Sequence, residues 1–298
     1  MAGFDTSKLG FSSACLAGKT LPQAADIGRA MGFRTYEMLA FDGYCHSQGT
    51  LSGFYFEHMT ADEREDLREL ASRFDYVSTH APFIDIASVA PNPSIRAAAQ
   101  RQLEIAIEGV AFIGGVTTTT HVTPKHIHPF EQFKGEVIDL YRRLGDIAGE
   151  LGVTVTCETC YPPAVDEFAD LIWSIDHPAV GANVDVGHLV VTIPPDLRGT
   201  DEGIALYNDT LEEHVRSLKG KLFHFHLHDI RPDDFRDHRA AGRGFLDYER
   251  LFRVVAQMDY EGLFVFELEE PDLEDALAGS KARIELAMSR VAAGDDGP

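Results

Sequence analysis

The chain has 298 residues, with 26 Lys and Arg against 48 Asp and Glu, which gives a formal net charge of −22. Its hydrophobic (44%) and charged (25%) fractions are usual for a folded protein, and no apolar run reaches the ~18 residues of a membrane span. The negative charge argues against binding to nucleic acid or to an anionic membrane. Four cysteines are too few for a disulfide scaffold and no signal-peptide pattern is present, so we expect a cytoplasmic protein.

Short apolar or β-branched segments alternate with amphipathic segments along the chain. Strands are predicted at residues 8–13, 35–39, 76–80, 116–121, 153–158, 180–185, 222–228 and 263–268. Helices are predicted at residues 21–31, 61–72, 93–112, 129–151, 165–174, 202–218, 247–258 and 273–292. Each predicted strand is therefore followed by a helix.

This alternation predicts the α/β class, with a parallel sheet and crossover helices. Eight units fit a single (β/α)8 TIM barrel over residues 1–293, followed by a frayed tail at residues 294–298. The alternatives are a doubly wound open sheet or two domains. The first strand–helix turn, SSACLAGKT at residues 12–20, carries no nucleotide-binding glycine motif, and no linker divides the chain.

Carboxylates and imidazoles occur at the ends of the third to eighth predicted strands, where barrels place their active sites. They are His80, His121, Glu158, Asp185, His188, His226, His228, Asp229 and Glu267, with His238 in the loop after the seventh strand. Buried charges must be paired or bind a metal, and Lys and Arg are scarce near these ends. A set of carboxylates and imidazole suits Mn²⁺, Co²⁺, Mg²⁺ or Zn²⁺.

Three further features have more than one interpretation. His224 shares a strand face with His226, and it either lines the barrel mouth or packs in the interior. Cys157 and Cys160 form a C-x-x-C pair, but Cys157 falls inside a strand, which argues against redox or zinc chemistry. The loop after the seventh strand contains four arginines that either bind an anionic group such as phosphate or form surface ion pairs: Arg231, Arg236, Arg239 and Arg243.

Six motifs carry a family resemblance: STHAP (78–82), CET (157–159), NVDVGH (183–188), FHFHLHD (223–229), DHRAAGRGFLDY (237–248) and VFELEE (265–270). In this order they make the chain similar to the xylose isomerase-like TIM barrel superfamily, in particular its sugar phosphate isomerase/epimerase group, with endonuclease IV-type relatives. The resemblance implies a divalent metal ion, Mn²⁺ foremost, held by Glu158, Asp185, His226 and Glu267. It also implies that Glu158 and Glu267 are the catalytic acid–base pair, and it involves no organic cofactor. Substrate binding is expected from His188, His80, His121, His238 and Arg231.

The resemblance implies an isomerase or epimerase that acts on a sugar, sugar phosphate or polyol-derived keto compound through a metal-stabilised enediolate. Alternatives are a zinc-dependent abasic-site phosphodiesterase, a keto-sugar lyase or dehydratase, and a noncatalytic sugar-binding subunit. The endonuclease branch carries an Asp where this chain has Arg236, and ketose 3-epimerases carry an Asn and an Arg where residues 230–233 read IRPD. The expected partner is a small carbohydrate, with no nucleic acid or membrane and with pairing into a homodimer, as is common in this group.

Overall fold

The computed structural model describes residues 3–46, 48–125 and 128–294. Eight parallel strands form one closed barrel in which each strand pairs with its neighbours in chain order. The strands are β1 (Leu9–Ser12), β2 (Thr35–Leu39), β3 (Tyr76–His80), β4 (Thr117–Thr120), β5 (Thr154–Glu158), β6 (Val180–Asp185), β7 (Leu222–Leu227) and β8 (Leu263–Phe266). The barrel closes through the pairing of β1 with β8.

A helix follows each strand. The helices are α1 (Leu21–Ala30), α2 (Ala61–Ala71), α3 (Pro93–Phe112), α4 (Lys134–Leu151), α5 (Val165–Ile175), α6 (Asp201–Ser217), α7 (Tyr248–Val255) and α8 (Leu273–Ala293). The predicted (β/α)8 barrel is thus confirmed. Of the predicted tail, Gly294 ends α8 in a left-handed conformation, and residues 295–298 lie outside the described residues.

Several elements are shorter than predicted. Strands β4, β7 and β8 end one or two residues early, so His121, His228 and Glu267 begin the loops at the barrel mouth. Helix α4 starts at Lys134 instead of residue 129, because Phe130–Gln132 forms a short 3-10 turn. A small two-stranded hairpin, Cys45–His46 with Gly49–Thr50, was not predicted.

The two faces of the barrel differ in chemistry. The outer face carries large apolar side chains that pack under the helices, such as Phe11, Tyr36, Phe225 and Phe266. TIM barrels usually fill their interior with branched apolar residues. Here the inner positions of the strands are largely polar and fully buried: Ser12, Thr35, Glu37, Ser78, Thr119, Thr156, Asn183, His224 and His226. Buried polar groups need partners, so this interior is a hydrogen-bonded base on which the mouth residues rest.

Among the described residues, no helix combines the length and the apolar character that crossing a membrane requires.

Candidate active site

Four side chains from consecutive strands converge at the C-terminal mouth of the barrel. Glu158 and Asp185 end β5 and β6, His226 lies in β7, and Glu267 follows β8. One ligand atom from each lies within 4.8 Å of those of the other three. His226 Nδ1 is 3.3 Å from Glu158 Oε2 and 3.5 Å from Glu267 Oε2. The structure therefore brings together the four residues that the family resemblance implies as metal ligands.

The donor atoms of this group fit a divalent cation. Asp185 Oδ1 accepts hydrogen bonds from the backbone N–H groups of Gly187 (2.8 Å) and His188 (3.1 Å), and from His228 Nε2 (2.8 Å). Its second oxygen, Oδ2, is buried and has no hydrogen-bond partner in the described part of the chain. An orphaned carboxylate oxygen beside two further carboxylates and an imidazole nitrogen is a suitable donor set for Mn²⁺, Mg²⁺, Co²⁺ or Zn²⁺.

The imidazoles around these carboxylates hold them ionised. Burial of Glu158 opposes ionisation, but His121 and His226 outweigh it and hold the pKa of Glu158 well below its usual range. Burial likewise opposes ionisation of Glu267, and His226 with His238 keeps the pKa of that carboxyl lowered. For His226, burial lowers the pKa, but Glu267 and Glu37 raise it well above the usual value. The charge that raises the pKa of His226 comes from the same carboxylates that would face a bound cation, and a cation held at Nδ1 would take the place of the proton there.

A buried glutamate below the mouth, Glu37 of β2, is not among the residues predicted from the sequence. Its carboxylate is fully buried and accepts from Ser78 Oγ (2.8 Å), His224 Nε2 (3.0 Å) and His226 Nε2 (3.1 Å). Burial opposes its ionisation, but His226 and His224 hold the pKa of Glu37 well below its usual range. Because its Nε2–H is bonded to this carboxylate, His226 presents Nδ1 to the other ligands, which is the usual arrangement of a metal-bound histidine. His224 itself lies in the barrel interior.

The predicted substrate-binding histidines lie around Glu158 and Glu267. His80 Nε2 and His121 Nε2 are each 3.3 Å from Glu158 Oε2, and His188 Nδ1 is 3.2 Å from Glu158 Oε1. His238 Nε2 is 3.7 Å from Glu267 Oε2. All four histidines line a cavity of about 240 Å³ that also contacts both glutamates.

The position of His238 depends on an anchored loop. Asp229, just after β7, accepts backbone N–H groups of Ile230, Gly242 and Leu246 at 2.8–3.0 Å. A Cβ at Gly244 would lie 2.2 Å from Asp229 Oδ1, so this close approach requires glycine.

His228 lies under the same loop. It accepts the backbone N–H of His238 at Nδ1 (2.9 Å), and its Nε2–H donates to Asp185, so both ring nitrogens of His228 are engaged. Asp185, His228 and His238 form another group of metal-binding dimensions. Because neither nitrogen of His228 is available as a donor atom, this group is a hydrogen-bonded support for Asp185.

The predicted substrate residue Arg231 does not line the cavity. Its guanidinium is exposed and forms an ion pair with Asp234. The other three arginines of this loop also contact carboxylates: Arg236 with Glu269, Arg239 with Glu270, and Arg243 with Asp272. The cluster is thus a set of ion pairs, and the lining of the cavity contains no Lys or Arg among the described residues.

Phe41, Tyr44 and Phe83 form an aromatic wall of the cavity that sequence periodicity did not indicate, because these residues lie in loops.

Cys157 is buried as a free thiol, and burial raises its pKa to about 12. Redox-active cysteines have lowered pKa values, so the environment of Cys157 does not favour redox chemistry.

Comparison with known proteins identifies the family of this chain. A sequence model of the family described as "Xylose isomerase-like TIM barrel" matches residues 25–289. The chain belongs to this family. An uncharacterized protein of Methanocaldococcus jannaschii is 21% identical over 241 residues, which cover 76% of each chain.

Solved structures share the fold over nearly the whole chain. A D-tagatose 3-epimerase-like protein superimposes with a TM-score of 0.74 at 18% identity, covering 96% of this chain and 98% of the other. An L-ribulose 3-epimerase gives 0.73 at 13% identity, with 97% and 99% covered. A xylose isomerase-like TIM barrel protein of Mycobacterium smegmatis in complex with magnesium gives 0.69 at 15% identity, with 95% and 97% covered. At these identities the likeness shows the fold.

Proposed function

We propose that this protein is a divalent-metal-dependent isomerase or epimerase of a keto sugar. The observation that carries the proposal is the convergence of Glu158, Asp185, His226 and Glu267, with the orphaned Asp185 Oδ2, at the mouth of the barrel. Family membership and the epimerases among the structural neighbours support it. The magnesium-containing neighbour supports the metal dependence.

Two ionised glutamates suit a reaction that moves a proton at carbon. Glu158 and Glu267 come from strands separated by β6 and β7, and both line the cavity. One carboxylate would remove the proton beside the substrate carbonyl. The other would take up a proton from solvent and return it to the same or the neighbouring carbon, while the first releases its proton to solvent. When bound, a divalent cation would supply Lewis-acid stabilisation of the resulting enediolate.

The histidines would orient the substrate oxygens. His188 is fixed by a 2.8 Å contact between its Nδ1 and the backbone oxygen of Thr159. Burial lowers its pKa, but Asp185 and Glu158 raise the pKa of His188 to about 9, so it is protonated at neutral pH. Its remaining N–H can donate to a substrate hydroxyl or carbonyl oxygen. The cavity of about 240 Å³ falls below the roughly 300–1,000 Å³ of drug-sized ligand sites, which suits a small polar ligand.

The test is solvent proton exchange by metal-loaded enzyme. A panel of keto sugars is incubated in D₂O, deuterium incorporation is followed by NMR, and metal content is measured by mass spectrometry. Glu158→Gln and Glu267→Gln should each lower exchange by about 10²- to 10⁴-fold, the usual contribution of a general acid or base. Glu269→Gln is the matched control, because Glu269 also lines the cavity but pairs with Arg236.

The outcomes separate the alternatives. Full activity and full metal content in both variants would refute the mechanism. Three zinc ions per chain together with cleavage of an abasic DNA duplex would favour the phosphodiesterase. A product that has lost water would indicate a dehydratase, and sugar binding without exchange or turnover would indicate a noncatalytic subunit.

A further inference from the structure

A second cavity adjoins the active site. It has a volume of about 230 Å³ and is lined by residues 41–44, 55 and 82–85; we call it the annex. Phe41, Tyr44 and Phe83 line both the annex and the active-site cavity, so the two cavities adjoin at these three aromatic side chains. A ligand in the active site could therefore extend into the annex.

The annex concentrates exposed apolar surface. Tyr44, Tyr55, Phe83 and Ile84 are each 37–41% exposed, and they account for four of the twelve large exposed apolar side chains in the described residues. Scattered apolar side chains are normal on a surface, whereas a contiguous group beside a cavity marks a binding site. Aromatic rings of this kind stack on the flat faces of other rings.

The aromatic walls are held in place. The backbone N–H of Leu51 donates to Tyr44 O (2.7 Å), and that of Gly53 donates to Asp42 Oδ1 (3.1 Å). A Cβ at Gly53 would lie 1.8 Å from Phe41 O, so this tight return of the loop requires glycine.

Phe83 is anchored from the other side. It meets Phe41 edge-on at 5.5 Å and stacks on His121 at 5.1 Å. A site whose walls are already fixed loses little ordering entropy when a ligand binds.

The charges around the two cavities argue against a phosphate. Neither cavity is lined by a Lys or an Arg among the described residues, and the annex contains Asp42 and Asp85. Proteins bind phosphate mainly through Arg, Lys and helix N-termini, so an acidic aromatic pocket disfavours an anionic group and favours an uncharged ring with hydroxyl groups.

We propose that the substrate is an uncharged keto sugar that carries a second ring as a glycosidic substituent. The reacting ring lies in the active-site cavity, and the second ring, a sugar or an aryl group, stacks in the annex. This inference rests on the proposed function, since it places the reacting ring at Glu158 and Glu267.

The test compares four probes on metal-loaded protein by saturation-transfer NMR titration: methyl β-D-glucopyranoside, phenyl β-D-glucopyranoside, cellobiose and glucose 6-phosphate. A ring stacked on aromatic walls should bind about three- to tenfold more tightly than the methyl glycoside. Tyr55→Ala and Ile84→Ala, which alter only the annex, should abolish that preference and leave methyl glycoside binding unchanged. Tyr55→Phe should retain it, and so should Ile95→Ala, a matched exposed isoleucine on α3.

Preference for the phenyl glycoside, cellobiose or both supports the inference and identifies the kind of second ring. Equal binding of methyl and ring-bearing glycosides, no binding of any glycoside, or tightest binding of glucose 6-phosphate would overturn it. Light scattering tests the alternative that a second copy of the chain covers the annex. If the wild type shows no ring preference and Ile84→Ala changes the oligomeric state, that alternative holds and the inference is overturned. Proton exchange with simple keto sugars in D₂O would then still uphold the proposed function. Ring preference without any exchange would overturn that function and, with it, the role of ring-bearing keto sugars as substrates.

Discussion

Glu37 offers the sharpest test of how the site is organised. Glu37→Gln keeps the shape of the side chain and removes its negative charge, leaving one acceptor oxygen where the carboxylate had two. An imidazole N–H bonded to a carboxylate contributes about 1.5–3 kcal/mol, roughly twice as much as one bonded to a neutral oxygen. The amide NH₂ would also face His226 Nε2 or His224 Nε2, both of which donate to Glu37 in the native chain.

We therefore expect weaker metal binding in Glu37→Gln. If the NH₂ faces His226, that ring must carry its proton on Nδ1, the atom that points at Glu158 and Glu267. If the oxygen faces His226, the ring keeps its orientation but loses basicity. Substitutions in the supporting shell of a metal site cost about 10- to 100-fold in metal affinity, and we expect a loss in this range. Glu37 is thus a positioning residue that acts through His226.

The assay is a Mn²⁺ dissociation constant measured by competition with a chelating dye. Ser78→Ala is the matched control, because it removes the 2.8 Å hydrogen bond to Glu37 and leaves the charge in place. It should lower the unfolding free energy by about 1 kcal/mol and change metal affinity less than about threefold. If Glu37→Gln binds Mn²⁺ as tightly as Ser78→Ala does, the proposed support of His226 by Glu37 is wrong.

Two further predictions concern the scaffold. In Gly187→Ala the new Cβ would lie 2.1 Å from Cε1 of the buried His228, so we expect the unfolding free energy measured in urea to fall by about 1–3 kcal/mol. The control is Gly135→Ala, whose Cβ would meet no atom within 4 Å and which should be neutral or slightly stabilising. Burial lowers the pKa of His214 to about 4, below the unfolded value of 6.5, so its stabilising contribution is complete above about pH 6.5 and is lost as the pH falls towards 4. Between about pH 7.5 and pH 5 the unfolding free energy should therefore fall by about 2 kcal/mol on account of His214. The measurement is urea unfolding of wild type and of His214→Gln at both pH values, and the wild type should lose about 2 kcal/mol more than the variant. Equal pH dependence of the two proteins would contradict the prediction.

The residues at the strand ends could be predicted because two periodicities locate them. Alternation within a strand shows which residues share a face, and the βα order places all C-terminal strand ends at one mouth. Asp185 and His226 illustrate this, since they pair directly in the register of β6 and β7. The carboxylates and imidazoles at these ends then indicate metal chemistry from the sequence alone.

Glu37 and the annex could not be predicted by the same reasoning. The period of two places Glu37 on one face of β2, but only closure of the barrel brings that face opposite β7, where His224 lies 187 positions further along the chain. Phe41, Tyr44 and Phe83 lie in loops, where no periodicity exists, and their convergence depends on how two loops pack. Arg231 shows the reverse problem, because a basic cluster in sequence cannot reveal the carboxylates that pair with it in space.

The polar interior implies that the two faces of the sheet contribute differently, the inner face to the active site and the outer face to apolar stabilisation. The inner face contributes little apolar burial, since Glu37, Thr156, Asn183 and His224 occupy positions that barrels usually fill with Val, Ile or Leu. Apolar stabilisation must then come mainly from the outer face, where Phe225 and its neighbours pack under the helices. Substitution of Glu37, the inner-face residue bonded to His226, should consequently affect metal affinity more than unfolding free energy, while truncations on the outer face should show the opposite ratio.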